Sequence, residues 1–205
     1  MIELIILLVT AYLLGSIPTA VWIGKFRYGI DVREHGSKNA GATNTFRVLG
    51  NTPGLVVLLL DISKGILAVS IPELVLGADD ALLEKVKIMC AVIAVLGHLY
   101  PVFAQFKGGK GVATSLGVII GLEPLAALYA LLVFLLVFLI SRFVSLGALV
   151  TAALFPFILK YAVGSDSLWL LSFSILVSSI VILAHRQNIT RLLNGDEKKM
   201  NFSRK

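Results

Sequence analysis

Seven apolar runs divide the chain: Ile2–Ile23, Leu55–Ile71, Ile88–Phe103, Val112–Leu122, Leu125–Ile140, Leu146–Tyr161 and Leu168–Ala184. Apolar blocks separated by short polar loops predict helices whose solvent is lipid, where a segment must satisfy its own backbone groups. The first run is interrupted by Gly15-Ser16-Ile17-Pro18. Its proline frees a carbonyl that Ser16 or a neighbouring helix can satisfy, and Gly15, Ser16 and Ala20 suit close helix approach. The second run carries Asp61 and Lys64 at i, i+3, on one helical face; a structural ion pair is favoured over a substrate contact. The third ends in Gly97-His98-Leu99-Tyr100-Pro101, where His98 and Tyr100 occupy positions expected of interfacial anchors. The fifth is almost purely Leu, Val and Phe and is expected to face lipid. The fourth is short of the roughly 20 residues a span needs.

Charge then orients the helices. Composition agrees with a membrane chain: of 205 residues 58% are hydrophobic and 15% charged, against about 25% charged in soluble domains. Mean hydropathy is +0.93. If every run spans, Lys25–Asn51, Gln105–Lys110, Ser141–Ser145 and the tail share one side and hold fourteen basic residues; the other side holds Lys85, Lys87 and Lys160. The positive-inside rule makes this an all-α polytopic membrane protein of seven transmembrane helices, N-terminus outside and C-terminus cytoplasmic. Dropping the short fourth run would send the basic tail to the wrong side, so charge favours seven crossings. The loop Pro72–Lys87, with Glu73, Asp79, Asp80 and Glu84, falls outside. The length suits one domain over residues 1–205, and the first helix lacks the basic flank and small-residue site of a cleaved signal. The net charge of +6 is a topology signal, not one for nucleic acid. Cys90, the only cysteine, reads as a structural thiol.

Three polar motifs fall on the cytoplasmic side. Gly36-Ser37-Lys38-Asn39-Ala40-Gly41-Ala42-Thr43-Asn44 offers hydrogen-bonding side chains among glycines, and Arg47 follows as a fork suited to phosphate or carboxylate. Phe106-Lys107-Gly108-Gly109-Lys110-Gly111-Val112-Ala113-Thr114 is a doubly basic glycine turn at a helix start. Its glycines are expected to take positive φ and turn N–H groups toward an anion, although a flexible basic loop has the same composition. It is not a Walker A loop, because Ala104 stands at the first glycine position and Gly111 follows Lys110. His185 and Asn188, at i, i+3 after the last run, either face one site or, with Arg186, anchor the interface. Ser37 alone reads equally as a turn or capping residue. Two anion cradles and a histidine on one face point to transfer between phosphorylated compounds, one of them lipid-like.

These segments resemble the bacterial acyl-phosphate:glycerol-3-phosphate acyltransferases, the PlsY type. The resemblance runs through Leu13–Pro18, the Gly36–Asn44 motif with Arg47, Gly97–Phe103, the glycine turn, Arg142-Phe143-Val144-Ser145-Leu146, and His185-Arg186-Gln187-Asn188-Ile189-Thr190-Arg191 onward to Glu197. It implies an inner-membrane enzyme that moves a fatty acyl group from acyl phosphate to the sn-1 hydroxyl of glycerol 3-phosphate, the entry to phospholipid synthesis. It also implies residue roles. Ser37, Asn39, Thr43 and Asn44 hold acyl phosphate; Arg47, Gly108, Gly109, Lys110, Gly111, Ser145, His185 and Asn188 hold glycerol 3-phosphate. Ser37, Arg47, Lys110, His185 and Asn188 form the catalytic set, with no cofactor, no metal and no nucleic acid. Membrane lipid and the enzyme that forms the acyl phosphate are the implied partners. Two departures stand out: Lys38 replaces a small residue common in the family, and Ala148 replaces a frequent serine.

Acyl phosphate is already an activated mixed anhydride, and no G-x-S-x-G elbow is present to form an acyl-enzyme. Direct attack by the glycerol hydroxyl is therefore expected, with the proton going to substrate phosphate or to His185. The H-x-x-x-x-D motif of another acyltransferase class is absent, since Ala40, Phe103 and Thr190 stand where its carboxylate belongs. No cytoplasmic Asp cluster supports a Mg²⁺-dependent phosphotransferase. A transporter of phosphorylated solutes is disfavoured because the polar motifs collect on one face without repeats.

Overall fold

The computed structural model describes residues 1–77 and 82–200. Asp79 and Asp80 of the expected outer loop, and Arg204 and Lys205 of the basic tail, lie outside the described residues. The described residues are helical and irregular, without strands, and fall into two compact units, Met1–Leu122 and a second beginning at Glu123. Among the described residues four helices are long and apolar enough to cross a membrane, and up to six if each of two bent pairs counts as one span.

In the first unit α1 (Ile2–Gly15) and α2 (Thr19–Tyr28) are bent by 44° across the Gly15–Pro18 break anticipated from the proline. Gly29 closes α2 in the left-handed conformation, with Lys25 and Arg27 in its last turn. The stretch expected to be a polar loop up to Asn51 instead contains α3 (Ala42–Leu49). Eight residues form no stable helix alone. This one docks Phe46 on Gly54, where an added Cβ would lie 2.3 Å from the ring. The central helix is α4 (Asn51–Leu76), on which α1, α2, α3, α5 (Leu83–Leu99) and α6 (Val112–Leu122) all pack.

The second run is thus longer than its apolar content predicts. The expected loop from Pro72 to Lys87 begins only at Gly77, because α4 runs through Pro72 despite the hydrogen bond lost to Ala68. Lys87 Nζ meets Glu73 Oε2 at 3.1 Å across the ends of α4 and α5. The α4–α6 crossing depends on two glycines. A Cβ on Gly65 would fall 2.4 Å from the Thr114 carbonyl, and one on Gly117 would fall 2.1 Å from that of Ile62. Cys90 is fully buried among apolar neighbours in α5.

The second unit stacks α7 (Pro124–Ser141), α8 (Val144–Phe157) and α9 (Leu168–Ala184), with α8 in contact with both others. The face of α7 carrying Leu132, Leu136, Leu139 and Ile140 is exposed, the surface a helix turns to lipid. A π-helical turn, Ile158–Ala162, ends α8, and the Ser167 hydroxyl caps α9 by accepting from the Leu170 N–H. At His185 the chain bends by 59° into α10 (Arg186–Leu193).

Candidate functional site

The first polar segment is built around two side chains. Asp31 caps a 3₁₀ turn, Val32–Glu34, by accepting from the Arg33 N–H. Its carboxylate receives the Arg33 guanidinium bidentately, Nε at 3.0 Å and Nη2 at 2.7 Å, and Lys25 Nζ lies 3.1 Å away. Arg33 hydrogen bonds hold the Asp31 carboxyl well below the usual carboxylate range against the opposing effect of burial. The third guanidinium nitrogen, Nη1, donates to the Ala104 carbonyl at 2.9 Å and ties this segment to the chain after α5.

Asn44 is the second. It is 1% exposed, and its Nδ2 donates to the carbonyls of Val32 (2.7 Å), Asn39 (3.0 Å) and His35 (3.1 Å). Its Oδ1 accepts from the Ser37 N–H at 2.7 Å. The amide is therefore engaged with the backbone of its own loop, where the sequence reading placed it on the acyl phosphate. The curl needs left-handed backbone at Gly36 (φ 62°) and Lys38 (φ 58°). At Lys38 that conformation is one that side chains with a Cβ rarely adopt. Ser37, Asn39 and Thr43 are half-buried on this loop and the first turn of α3, and Arg47 lies one turn beyond Thr43 on the same helical face.

The glycine turn departs from expectation. Only Gly111 has positive φ, 81°, together with the non-glycines Gln105 and Phe106. The N–H groups of Gly108 and Gly109 do not open toward a ligand; they donate to the carbonyls of Leu99 and His98, each at 3.2 Å. Gly108 and Gly109 serve close approach: a Cβ on Gly108 would sit 2.0 Å from the His98 carbonyl oxygen, and one on Gly109 would sit 2.1 Å from His98 Nε2. His98 itself corrects the interfacial-anchor reading. It is 6% exposed, with Nδ1 3.1 Å from Thr114 Oγ1, whereas Tyr100 is exposed. The expected Asp61–Lys64 ion pair is present at 2.9 Å. Lys110 is half-buried between Gly109 and the first turn of α6, whose N–H groups lack intrahelical acceptors. A cavity of about 440 Å³ is lined by Asp31, Arg33, Glu34 and Lys38 from the first segment and by Gln105, Lys107 and Gly108 from the second.

In the second unit Ser145, in the first turn of α8, and Asn188, on α10, are both buried and meet on Glu197. Glu197 Oε1 accepts from Ser145 Oγ (2.7 Å) and Asn188 Nδ2 (2.8 Å), and Oε2 accepts from Arg191 Nε (2.7 Å). Burial opposes the charge on Glu197, but the hydrogen bonds from Arg191, Ser145 and Asn188 prevail and lower its pKa. His185 is 3% exposed, too buried for an interfacial anchor, and its Nδ1 bonds the Val181 carbonyl at 2.7 Å, which puts the ring hydrogen on Nδ1. Sequence reasoning assigned Glu197 no role, although a carboxylate set in a basic tail was the available signal. Asp31 and Arg33 carried no signal in the sequence beyond their charge.

A profile of the family described as Glycerol-3-phosphate acyltransferase matches residues 5–195. The chain is 44% identical over 205 residues to Glycerol-3-phosphate acyltransferase 2 of Bacillus cereus, covering 100% of this chain and 99% of that protein. It is 43% identical to the Glycerol-3-phosphate acyltransferase of Chlorobaculum tepidum, covering 100% of both. Among solved structures it is similar to PlsY (YgiH), described as an integral membrane glycerol 3-phosphate acyltransferase, in its glycerol 3-phosphate form. That match has a TM-score of 0.88 and 40% identity, covering 97% of this chain and 96% of the other.

Proposed function

Because the chain belongs to the glycerol-3-phosphate acyltransferase family, we propose that its acyl donor is acyl phosphate and its product is lysophosphatidate. The sn-1 hydroxyl oxygen of glycerol 3-phosphate attacks the acyl carbonyl carbon. The bond between that carbon and the bridging phosphate oxygen breaks, and inorganic phosphate leaves. The hydroxyl proton goes to the substrate's phosphate or to His185. No acyl-enzyme forms, so the chain's task is to hold two anions in line and stabilise the charge that gathers on the leaving phosphate. Ser37, Asn39 and Thr43 contact acyl phosphate, and Asn44 shapes the loop that presents them. Arg47 and Lys110, on the Gly108–Gly111 turn, hold the phosphate of glycerol 3-phosphate. In the second unit the residues proposed for glycerol 3-phosphate are Ser145, His185 and Asn188, with Glu197 orienting the first and the last.

The observation that carries this reading is the cavity lined jointly by the Asp31–Lys38 segment and the Gln105–Gly108 segment, in which Lys38 and Lys107 come from the two anion-suited motifs and stand with Arg33 beside the carboxylates of Asp31 and Glu34. The charge bias of fourteen basic residues to three supports seven crossings, with the N-terminus outside and the site facing the cytoplasm of a bacterial inner membrane. A donor made by another enzyme gives that enzyme a reason to dock on this face.

Purified protein in detergent is given radiolabelled glycerol 3-phosphate with acyl phosphate, acyl-CoA or an acyl carrier protein thioester. Lysophosphatidate from acyl phosphate alone is the expected result. Product from a thioester donor alone overturns the donor assignment, and isolation of a Ser37 ester overturns direct attack.

A further inference from the structure

Charge buried in a spanning segment needs a partner, and Asp61 draws its partners from three helices. Asp61 Oδ1 accepts from Thr19 Oγ1 on α2 at 2.7 Å, meets Lys64 Nζ on α4 at 2.9 Å, and lies 3.8 Å from His98 Nδ1 on α5. Lys64 Nζ also donates to the Ile17 carbonyl at 3.0 Å, across the α1–α2 break. Thr19, Asp61, Lys64, His98 and Thr114 are each at most 7% exposed. The ion pair alone would need none of the other three. Thr19 bonds Asp61, and the others gather on the His98 ring: Asp61 lies 3.8 Å from Nδ1, Thr114 Oγ1 bonds Nδ1 from α6, and the Nε2 edge abuts Gly109.

The backbone of the same residue grips the same turn, since the carbonyls of His98 and Leu99 accept the N–H groups of Gly109 and Gly108. Lys110 therefore has, on one side, a residue pressed against the His98 ring and bonded to its carbonyl. On the other side lies a helix turn bonded to Nδ1 of that ring. We propose that His98 is a positioning residue for Lys110, its ring held by the Thr114 hydroxyl at 3.1 Å, with the buried Asp61–Lys64–Thr19 cluster packed behind it. An apolar side chain could fill the volume, but only directional hydrogen bonds set the ring's angle. This inference rests on the reading of Lys110 as a glycerol 3-phosphate ligand.

The test is steady-state kinetics of the full chain in detergent, with thermal midpoints, for His98→Leu, His98→Asn, Thr114→Val, Gly109→Ala, the pair His98→Ala and His98→Ala/Gly109→Ala, and Lys110→Met. His98→Leu raises KM for glycerol 3-phosphate about tenfold, while KM for acyl phosphate stays within about twofold. Asn keeps a polar atom near the place of Nδ1, so His98→Asn restores most of that loss. Thr114→Val repeats the Leu effect in milder form. Gly109→Ala drives a Cβ into the ring, so its penalty disappears once the ring is gone, and the double variant is no worse than His98→Ala. Equal losses in Leu and Asn that follow the folded fraction, with both KM values unchanged, overturn the proposal. So does full additivity of Gly109→Ala and His98→Ala. If His98→Leu does not fold, Thr114→Val and His98→Asn carry the same comparison, and an unchanged glycerol 3-phosphate KM in Thr114→Val overturns it. An unchanged glycerol 3-phosphate KM in Lys110→Met sinks the underlying site reading instead, whatever the His98 variants do.

Discussion

Replacing Asn44 by Asp changes one NH₂ for one oxygen at nearly constant volume, and the loop around it makes the outcome calculable. The Ser37 N–H keeps its acceptor, but the carbonyls of Val32, His35 and Asn39 lose the Asn44 donor and face a carboxylate instead, Val32 keeping only the long bond from the His35 N–H at 3.4 Å and His35 the Lys38 N–H at 2.9 Å. Two Nδ2 hydrogens serve three carbonyls, so two full hydrogen bonds are removed, worth about 1–3 kcal/mol together. Val32 is fully buried and its carbonyl cannot simply rehydrate, which adds about 1–3 kcal/mol. The sum, about 4 kcal/mol at mid-range, corresponds to roughly a 700-fold rise in the open fraction of the loop at 1.4 kcal/mol per decade. Hydrogen exchange of the amides around Ser37 reads this opening directly, because their protection reports local unfolding. The expectation is exchange faster by nearly three orders of magnitude in Asn44→Asp, with Asn44→Ala similar, and a fall in kcat/KM for acyl phosphate set by the loss of the closed fraction. Unchanged protection with a raised KM for acyl phosphate would refute the reasoning, since it would mean that the amide touches ligand and the loop stands without it.

Two further outcomes follow from the buried charges. Lys64→Met strands the Asp61 carboxylate and lowers stability by about 3–5 kcal/mol, while Asp61→Leu/Lys64→Met regains most of that loss, because removing both charges leaves none unpaired; thermal midpoints in detergent that add across the two sites contradict this. The Glu197 pKa is lowered in the folded chain from its ordinary value of 4.5, so the unfolded chain binds that proton more readily. Its stabilisation is thus fully present above about pH 4.5 and is lost as pH falls through the folded value; Glu197→Gln flattens the dependence of the midpoint on pH across that window, and parallel curves for the two proteins contradict it.

What was legible in the sequence is what depends on local composition. An apolar run in lipid must satisfy its own backbone groups as helix, so α9 occupies the same bounds as its run, Leu168–Ala184, and the shorter α6 those of Val112–Leu122. The Asp61–Lys64 pair followed from one helical turn of spacing, and the break at Pro18 from a missing N–H. Tertiary structure decided the rest, because partners brought together from distant segments leave no periodic trace. α3 exists because Phe46 packs on Gly54, and α4 continues through Pro72 because its neighbours hold it. The Gly108 and Gly109 N–H groups look available in sequence and are taken by the carbonyls of an earlier helix end. His98 reads as an interfacial ring at the end of a run, but its burial depends on Asp61, 37 positions earlier, and on Thr114, 16 later. Composition determines which segments enter lipid; the side-chain contacts between segments determine where each hydrogen-bonding group of the site points.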